Sequence, residues 1–319
     1  MPPGLAGGRR TLSLRPPTKE SPVGTDFGPV GRLQLVPTRV LAGAYLDLGH
    51  DIRDTTLVVS TGRSGSTWVA EIVNHRNEYR LVFEPFRSER VRTARPFSLG
   101  QYIDPADQEH PLAGRIDALL AGRVRSWWTD RQNRRRIASR RIVKEIRITN
   151  LVPWIRARYP ELPIVYVVRD PVAVAKSWLE LGWGDRLADF LGQEELLAQF
   201  TGVEREIEEL ARSGDQFERH VLRWCLENAI LLRGHAALDV HRVDFGRLAT
   251  QPELELDPLF AYLARDGSGA LAAVGKRSAT AAFPRVARVT ITDAQKARAE
   301  EILALFGLTE LAPGSPVAE

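Results

Sequence analysis

A chain of 319 residues with 44% hydrophobic content is long enough to bury the core of one large domain or two small ones. Its formal charge of +4 is too small for that length to point by itself to nucleic acid, and no apolar run is long enough to span a membrane. The single cysteine, Cys225, excludes internal disulfides and a cysteine-based zinc site.

Residues 1–24 carry basic side chains without a continuous apolar run, so they do not read as a secretory leader, and a cytoplasmic protein is the default expectation. Residues 1–50 read as a Pro/Gly-rich arm and lead-in, with Val36 to Leu48 open between a helix and a packing segment. Thr56-Leu57-Val58-Val59 has the β-branched apolar pattern of a strand buried in a parallel sheet. It runs into Ser60 to Thr67, a loop with Gly62, Gly65, hydroxyls and Arg63, after which Trp68, Val69, Ile72 and Val73 recur at helical spacing. Strand, glycine loop and helix together make the geometry in which backbone N–H groups converge on an anion. The Walker pattern GxxxxGK[ST] is absent.

Tyr79 to Phe83 predicts a second strand, expected beside the first and ending at Glu84-Pro85, where the proline favours an extended Glu84. A polar insertion, 87–136, follows and holds Trp127 and Trp128. From Arg123 to Arg147 nine arginines and Lys144 stand against Asp130 and Glu145: either a solvated face or a basic rim that steers an anion. Arg141 to Ile146 predicts a third strand, with Thr149 or Asn150 capping a helix from Leu151 to Tyr159. Pro163 to Val168 predicts another strand, feeding Arg169-Asp170-Pro171 and a helix from Val172 to Leu181. Leu187 to Arg212 reads as one long helical stretch. Phe217, Val221, Trp224, Cys225, Asn228 and Leu232 mark an amphipathic helix, with Cys225 a core thiol. Thr292 or Asp293 caps a last helix, Ala294 to Phe306, that stops at Gly307.

The Ser60–Thr67 loop resembles the 5′-phosphosulfate loop of the sulfotransferases that use 3′-phosphoadenosine 5′-phosphosulfate (PAPS), and Arg169 with Ser177 eight positions on is similar to their 3′-phosphate signature. The resemblance implies an α/β fold in three layers, with a central P-loop NTPase-like parallel sheet in a single domain over 51–310 and a tail at 311–319. It implies sulfuryl transfer from PAPS, leaving 3′,5′-adenosine bisphosphate (PAP), to a hydroxyl or amine of a glycan or small molecule.

Under that reading Arg63 contacts the bridging oxygen and the departing 5′-phosphate. Ser64, Gly65, Ser66 and Thr67 supply donors, and Trp68 either stacks on adenine or packs in the core. Asp239 to Val243 looks like the family's later strand, followed by Asp244-Phe245-Gly246. Lys276 and Arg277 resemble its basic lid. The Lys-Thr-His run of cytosolic members is replaced by Lys144-Glu145-Ile146, and no histidine falls in a matching motif. Glu84, in a Phe-Glu-Pro context similar to carbohydrate-type members, is the implied base, with Lys144 neutralising the sulfuryl group and Glu145 in reserve. No metal, nucleic acid or stable membrane insertion is expected, and a homodimer is compatible with the sequence. Two other readings stay open: a P-loop-type nucleotide-dependent kinase, and a non-catalytic PAP-binding protein.

Overall fold

The computed structural model describes residues 45–275 and 285–311. β-Branched and apolar residues run without interruption through β2 (Thr55–Ser60), and β6 (Ile164–Val168) continues the pattern; every residue of both is buried. Strands of that composition need cover on both faces, which parallel sheets obtain from their crossover helices. Among the described residues the main sheet has five strands, all paired in parallel, in the order β3 (Arg80–Phe83), β5 (Arg141–Glu145), β2, β6, β7 (His241–Asp244).

Alternation along the strands sorts the core into two layers. Leu57, Val59, Val143, Ile164 and Tyr166 pack with Trp154, Trp178 and Trp224 on one side. Val58, Ile142, Val165 and Val167 pack with Val69, Ile72 and Phe260 on the other. The result is helices, parallel sheet, helices: the expected three-layer, P-loop-like α/β fold. No helix among the described residues is long and apolar enough to cross a membrane.

The strand order positions the site. The chain enters at β2 in mid-sheet, runs to the edge at β3, fills in β5, then crosses to β6 and β7. Connections therefore diverge at the β2–β6 boundary, and in open α/β sheets the crevice that takes a ligand lies beyond the carboxyl ends of such a pair. Contrary to expectation, Glu84 does not end a neighbour of β2, because β5 lies between them.

Other expectations are corrected in detail. The stretch 187–212 is broken into Leu187–Leu191, Glu194–Leu197, a 3-10 turn and Glu204–Ser213, with Gly202 at φ 90° interrupting it. Asn150 caps nothing: its amide donates to Leu226 O (3.0 Å) and Gly100 O (3.3 Å), and Thr149–Leu151 is a 3-10 turn leading into the helix Val152–Arg158. Of the lead-in, Leu46–Asp47 forms a short strand, β1, paired with β4 (Ile137–Ala138). The helix Gln216–Gly234 carries buried Cys225, and Thr292 caps Asp293–Leu305 as expected, with left-handed Gly307 just beyond.

The basic run divides by place. Arg141, at the amino end of β5, is fully buried and donates to Asp51 O (2.6 Å), Thr55 Oγ1 (3.0 Å) and Gly49 O. Arg80, at the amino end of β3, pairs with Asp47 (2.7 Å) and Asp130 (2.9 Å) and donates to Gly122 O (2.6 Å). These groups hold the sheet together at the pole opposite the crevice.

Candidate active site

β2 ends at Ser60, and the chain turns almost at once into the helix Ser66–Val73. Within the loop Arg63 (φ 73°) and Gly65 (φ 93°) both take left-handed backbone. Position 65 requires glycine twice over, since a Cβ there would also lie 2.3 Å from Phe245 Cδ2. Arg63 has no such licence, and its conformation costs about 1–3 kcal/mol, the kind of strain that collects at functional sites. Hydroxyl groups fix the turn: Thr61 Oγ1 and Ser64 Oγ share a hydrogen bond of 2.7 Å, and Ser60 Oγ lies 2.8 Å from Ser66 Oγ. Gly62 O accepts from Trp178 Nε1 at 3.1 Å. The first-turn amides of the helix, which have no partner within it, are the groups that such a turn offers to an anion.

Arg169 follows β6 directly, and Ser177 sits in the helix Pro171–Glu180. Because β2 and β6 are neighbours, both motifs meet. Arg169 donates from a terminal nitrogen to Arg63 O (2.9 Å), and Arg63 Nε donates to Ser177 Oγ (3.1 Å). The Arg169 guanidinium also lies 4.6 Å from the centre of the Phe245 ring. Burial lowers the Arg63 pKa, and Arg169 and Arg285 push it the same way. Burial likewise lowers that of Arg169, with Asp170 opposing. Gathered, partly buried like charges are what an anion would relieve. Trp68 is half-buried, packed on the β7 side of the core and edge-on to Phe245 at 5.6 Å.

Glu84 closes β3. Its N–H donates to Lys144 O (2.7 Å), and then the chain departs from the expected extended form to φ 43°. Tertiary pins override the preference imposed by Pro85. Glu84 O accepts from Trp128 Nε1 at 3.1 Å, Oε1 accepts from Lys144 Nζ at 2.8 Å, and Oε2 accepts from Arg147 at 3.1 Å. Glu84 is 6% exposed and Lys144 3%. Burial raises the Glu84 pKa, but Lys144 and Arg147 outweigh it and hold the carboxyl well below the usual carboxylate range. So paired, it is ionised and a weak proton acceptor. Glu145 shares Arg147 with Glu84, at 3.4 Å from Oε1, but is otherwise turned to the backbone: Oε2 accepts from Phe86 N (2.7 Å) and Oε1 from Ile146 N (2.8 Å), while burial keeps its pKa raised against Arg147. It shapes the turn after β3.

The sheet thus brings Arg63, Ser64, Gly65, Ser66, Thr67, Glu84, Lys144 and Arg169 to its carboxyl edge, with Ser177 and Trp68 against the loop. Lys276 and Arg277 lie outside the described residues. Sequence reasoning missed Arg147, three past Lys144 but submerged in the basic run. It also missed Phe245 as a site residue, although the Asp244-Phe245-Gly246 turn was visible, and Trp178, whose indole reaches the loop only through tertiary packing.

One comparison with known proteins shows the family. A model described as "Sulfotransferase family" matches residues 56–266. No curated protein matches the chain. Among solved structures, the sulfotransferase domain from the curacin biosynthetic pathway is similar at 15% identity, covering 70% of this chain and 77% of that one, with a TM-score of 0.39. A sulfotransferase from Alicyclobacillus acidocaldarius is similar at 14% identity over 81% of this chain and 94% of that one, with a TM-score of 0.36. With the glycine loop, Glu84, Lys144 and the Arg169–Ser177 pair all inside the matched span of 56–266, the chain belongs to the sulfotransferase family.

Proposed function

We propose that this sulfotransferase takes its sulfuryl group from PAPS and passes it to a hydroxyl of a small-molecule or glycan acceptor, releasing PAP. The observation that carries the reading is the Arg169–Arg63–Ser177 chain of hydrogen bonds (2.9 and 3.1 Å), which ties a strand-end arginine and a helical serine to the glycine loop. One ligand with a phosphate at each end accounts for both motifs meeting. The residues fit such a ligand: a left-handed turn at Arg63 and Gly65, helix-start amides, and two crowded guanidinium groups. When bound, PAPS supplies the sulfuryl group and a phosphate leaving group.

The chain's own residues do the rest. Amides of Gly65, Ser66 and Thr67, with Ser64 shaping their turn, hold the 5′ end. Arg169 and Ser177 take the 3′-phosphate, Arg169 with a fixed fork of donors. Arg63 leaves Ser177 and stabilises charge on the departing oxygen; a guanidinium cannot give up its proton, so it acts as an electrostatic clamp. Trp68 borders the adenine. Glu84 accepts the acceptor's proton. For that its hold on Lys144 must loosen: as the ammonium turns toward negative charge on the sulfuryl oxygens, Glu84 regains proton affinity when it is needed.

Thermal unfolding tests the donor. PAP should raise the melting temperature more than ATP with magnesium at equal concentration, because a ligand that binds only the native state stabilises it by mass action. Equal shifts would remove the 3′-phosphate assignment and favour the kinase reading. Mass spectrometry of acceptor pools incubated with PAPS should find an added sulfuryl group; PAP binding without any product would favour a non-catalytic protein.

A further inference from the structure

Beside Glu84 stand two arginines, Arg131 and Arg87, to which the proposed donor binding gives no role. Arg131 follows the short helix Trp127–Asp130, and its guanidinium carbon lies 3.9 Å from the centre of the Trp128 ring and 4.0 Å from that of Phe83. Lys144 Nζ lies 4.7 Å from the Phe83 ring, so one aromatic ring carries both Arg131 and the ammonium paired with Glu84. Arg87 stands 4.5 Å from the Trp128 ring and 3.9 Å from Glu84 Oε2.

The nearby carboxylates are engaged elsewhere, and Arg87 itself pairs with Glu89 at 3.4 Å. Glu84 is shared among Lys144, Arg147 and Arg87, and Glu145 is engaged by Arg147 (3.4 Å) and by backbone amides. Among the described residues Arg131 makes no ion pair and no side-chain hydrogen bond, and its guanidinium packs on the two rings. Burial draws its pKa down to about 10, with Glu84 opposing and Arg87 and Arg90 adding to the effect.

A guanidinium held 3.9 and 4.0 Å from two ring centres is attracted by the rings but finds no strong hydrogen-bond acceptor in them, so an N–H edge is left for a partner. The partner that fits such an edge is a planar or tetrahedral oxyanion, which takes two parallel hydrogen bonds. The acceptor must come to Glu84, the neighbour of this edge. We infer that the acceptor carries an oxyanion, a carboxylate or a phosphate, near the hydroxyl it presents to Glu84, and that Arg131 with Arg87 binds this group. The inference rests on the proposed role of Glu84; donor recognition by Arg169 and Ser177 is independent of it.

The test is calorimetric titration of PAP-saturated protein with acetate and with methyl phosphate. At least one should saturate with a dissociation constant in the range of about 1–30 mM. Arg131→Met should weaken that binding at least about tenfold, Arg131→Lys should recover part of it, and PAP affinity should be unchanged in both. Tighter acetate binding identifies a carboxylate acceptor, and tighter methyl phosphate binding a phosphate ester. Failure of both probes to saturate, or equal binding by Arg131→Met and wild type, would overturn the inference. Should PAP itself not bind, the donor assignment fails instead, and the same titrations on the unliganded protein still decide the oxyanion site.

Discussion

Arg63 donates from Nε to Ser177 Oγ at 3.1 Å, so the side chain proposed for the reacting end of the donor rests on the one proposed for its far end. Donor binding must part them. Under the proposed binding each side chain exchanges the other for a phosphate, which couples recognition at the two ends.

The first prediction follows from the Arg169 side of this chain. Arg169→Ala removes a charge-assisted contact worth about 1.5–3 kcal/mol per hydrogen bond, so the preference for PAP over adenosine 5′-phosphate should fall by at least about tenfold. Calorimetry on the two nucleotides measures this. Wild-type preference in the variant would remove Arg169 from the 3′-phosphate.

Arg63→Ala should behave differently. In its proposed role its main contact strengthens as charge builds on the leaving phosphate, so turnover should drop by roughly a hundredfold or more while PAP affinity changes little. A matching loss in both would make Arg63 a ground-state binding residue.

Gly65 is predicted to tolerate nothing larger. Alanine there meets Phe245 Cδ2 at 2.3 Å and must hold φ at 93°, so Gly65→Ala should lower stability by about 1–3 kcal/mol and weaken PAP binding. Adding Phe245→Ala removes the steric part and leaves the backbone strain, so a double-mutant cycle should show partial recovery. No coupling between the two substitutions would contradict the contact.

Glu84→Gln keeps shape but cannot take a proton. Turnover should fall by about two to four orders of magnitude with PAP affinity near wild type; product formation within about tenfold would place the base elsewhere. The same variant has an acid signature. Glu84 has a depressed pKa in the folded state, so its ionic contribution is fully present above the ordinary value of 4.5 and is lost as pH falls below it. The gap in melting temperature between wild type and Glu84→Gln should therefore be widest above about pH 4.5 and close on acidification. A gap independent of pH would mean that Glu84 is not stabilised by its ion pairs.

Much of this was legible in residue patterns. β6 is an uninterrupted apolar run and β2 has one at its centre, Leu57 to Val59, and each delivers its motif within a few residues of its end, so the loop and Arg169 could be read locally. Strand order could not: nothing within Tyr79–Phe83 says which parallel neighbour it takes. The backbone of Glu84 was also out of reach, because Lys144, Arg147 and Trp128, all distant in sequence, set it against the bias of Pro85. Asn150 shows the same limit at smaller scale, a good capping residue drawn off by the carbonyl of Leu226.

Arg80 and Arg141 are directly paired residues of β3 and β5, both fully buried, and both reach Asp47, at 2.7 and 3.7 Å. Sliding β3 by a single position would turn its side chains to the opposite face and strip Arg80 of its carboxylates. Breaking a buried ion pair in that way costs about 3–5 kcal/mol, a large part of a domain's whole stability. The cluster therefore acts chiefly against misalignment. β3 has four residues, too few for apolar contacts alone to choose one alignment, and it ends in Glu84. Where that carboxylate stands at one end of the sheet is thus dictated by an ion network at the other.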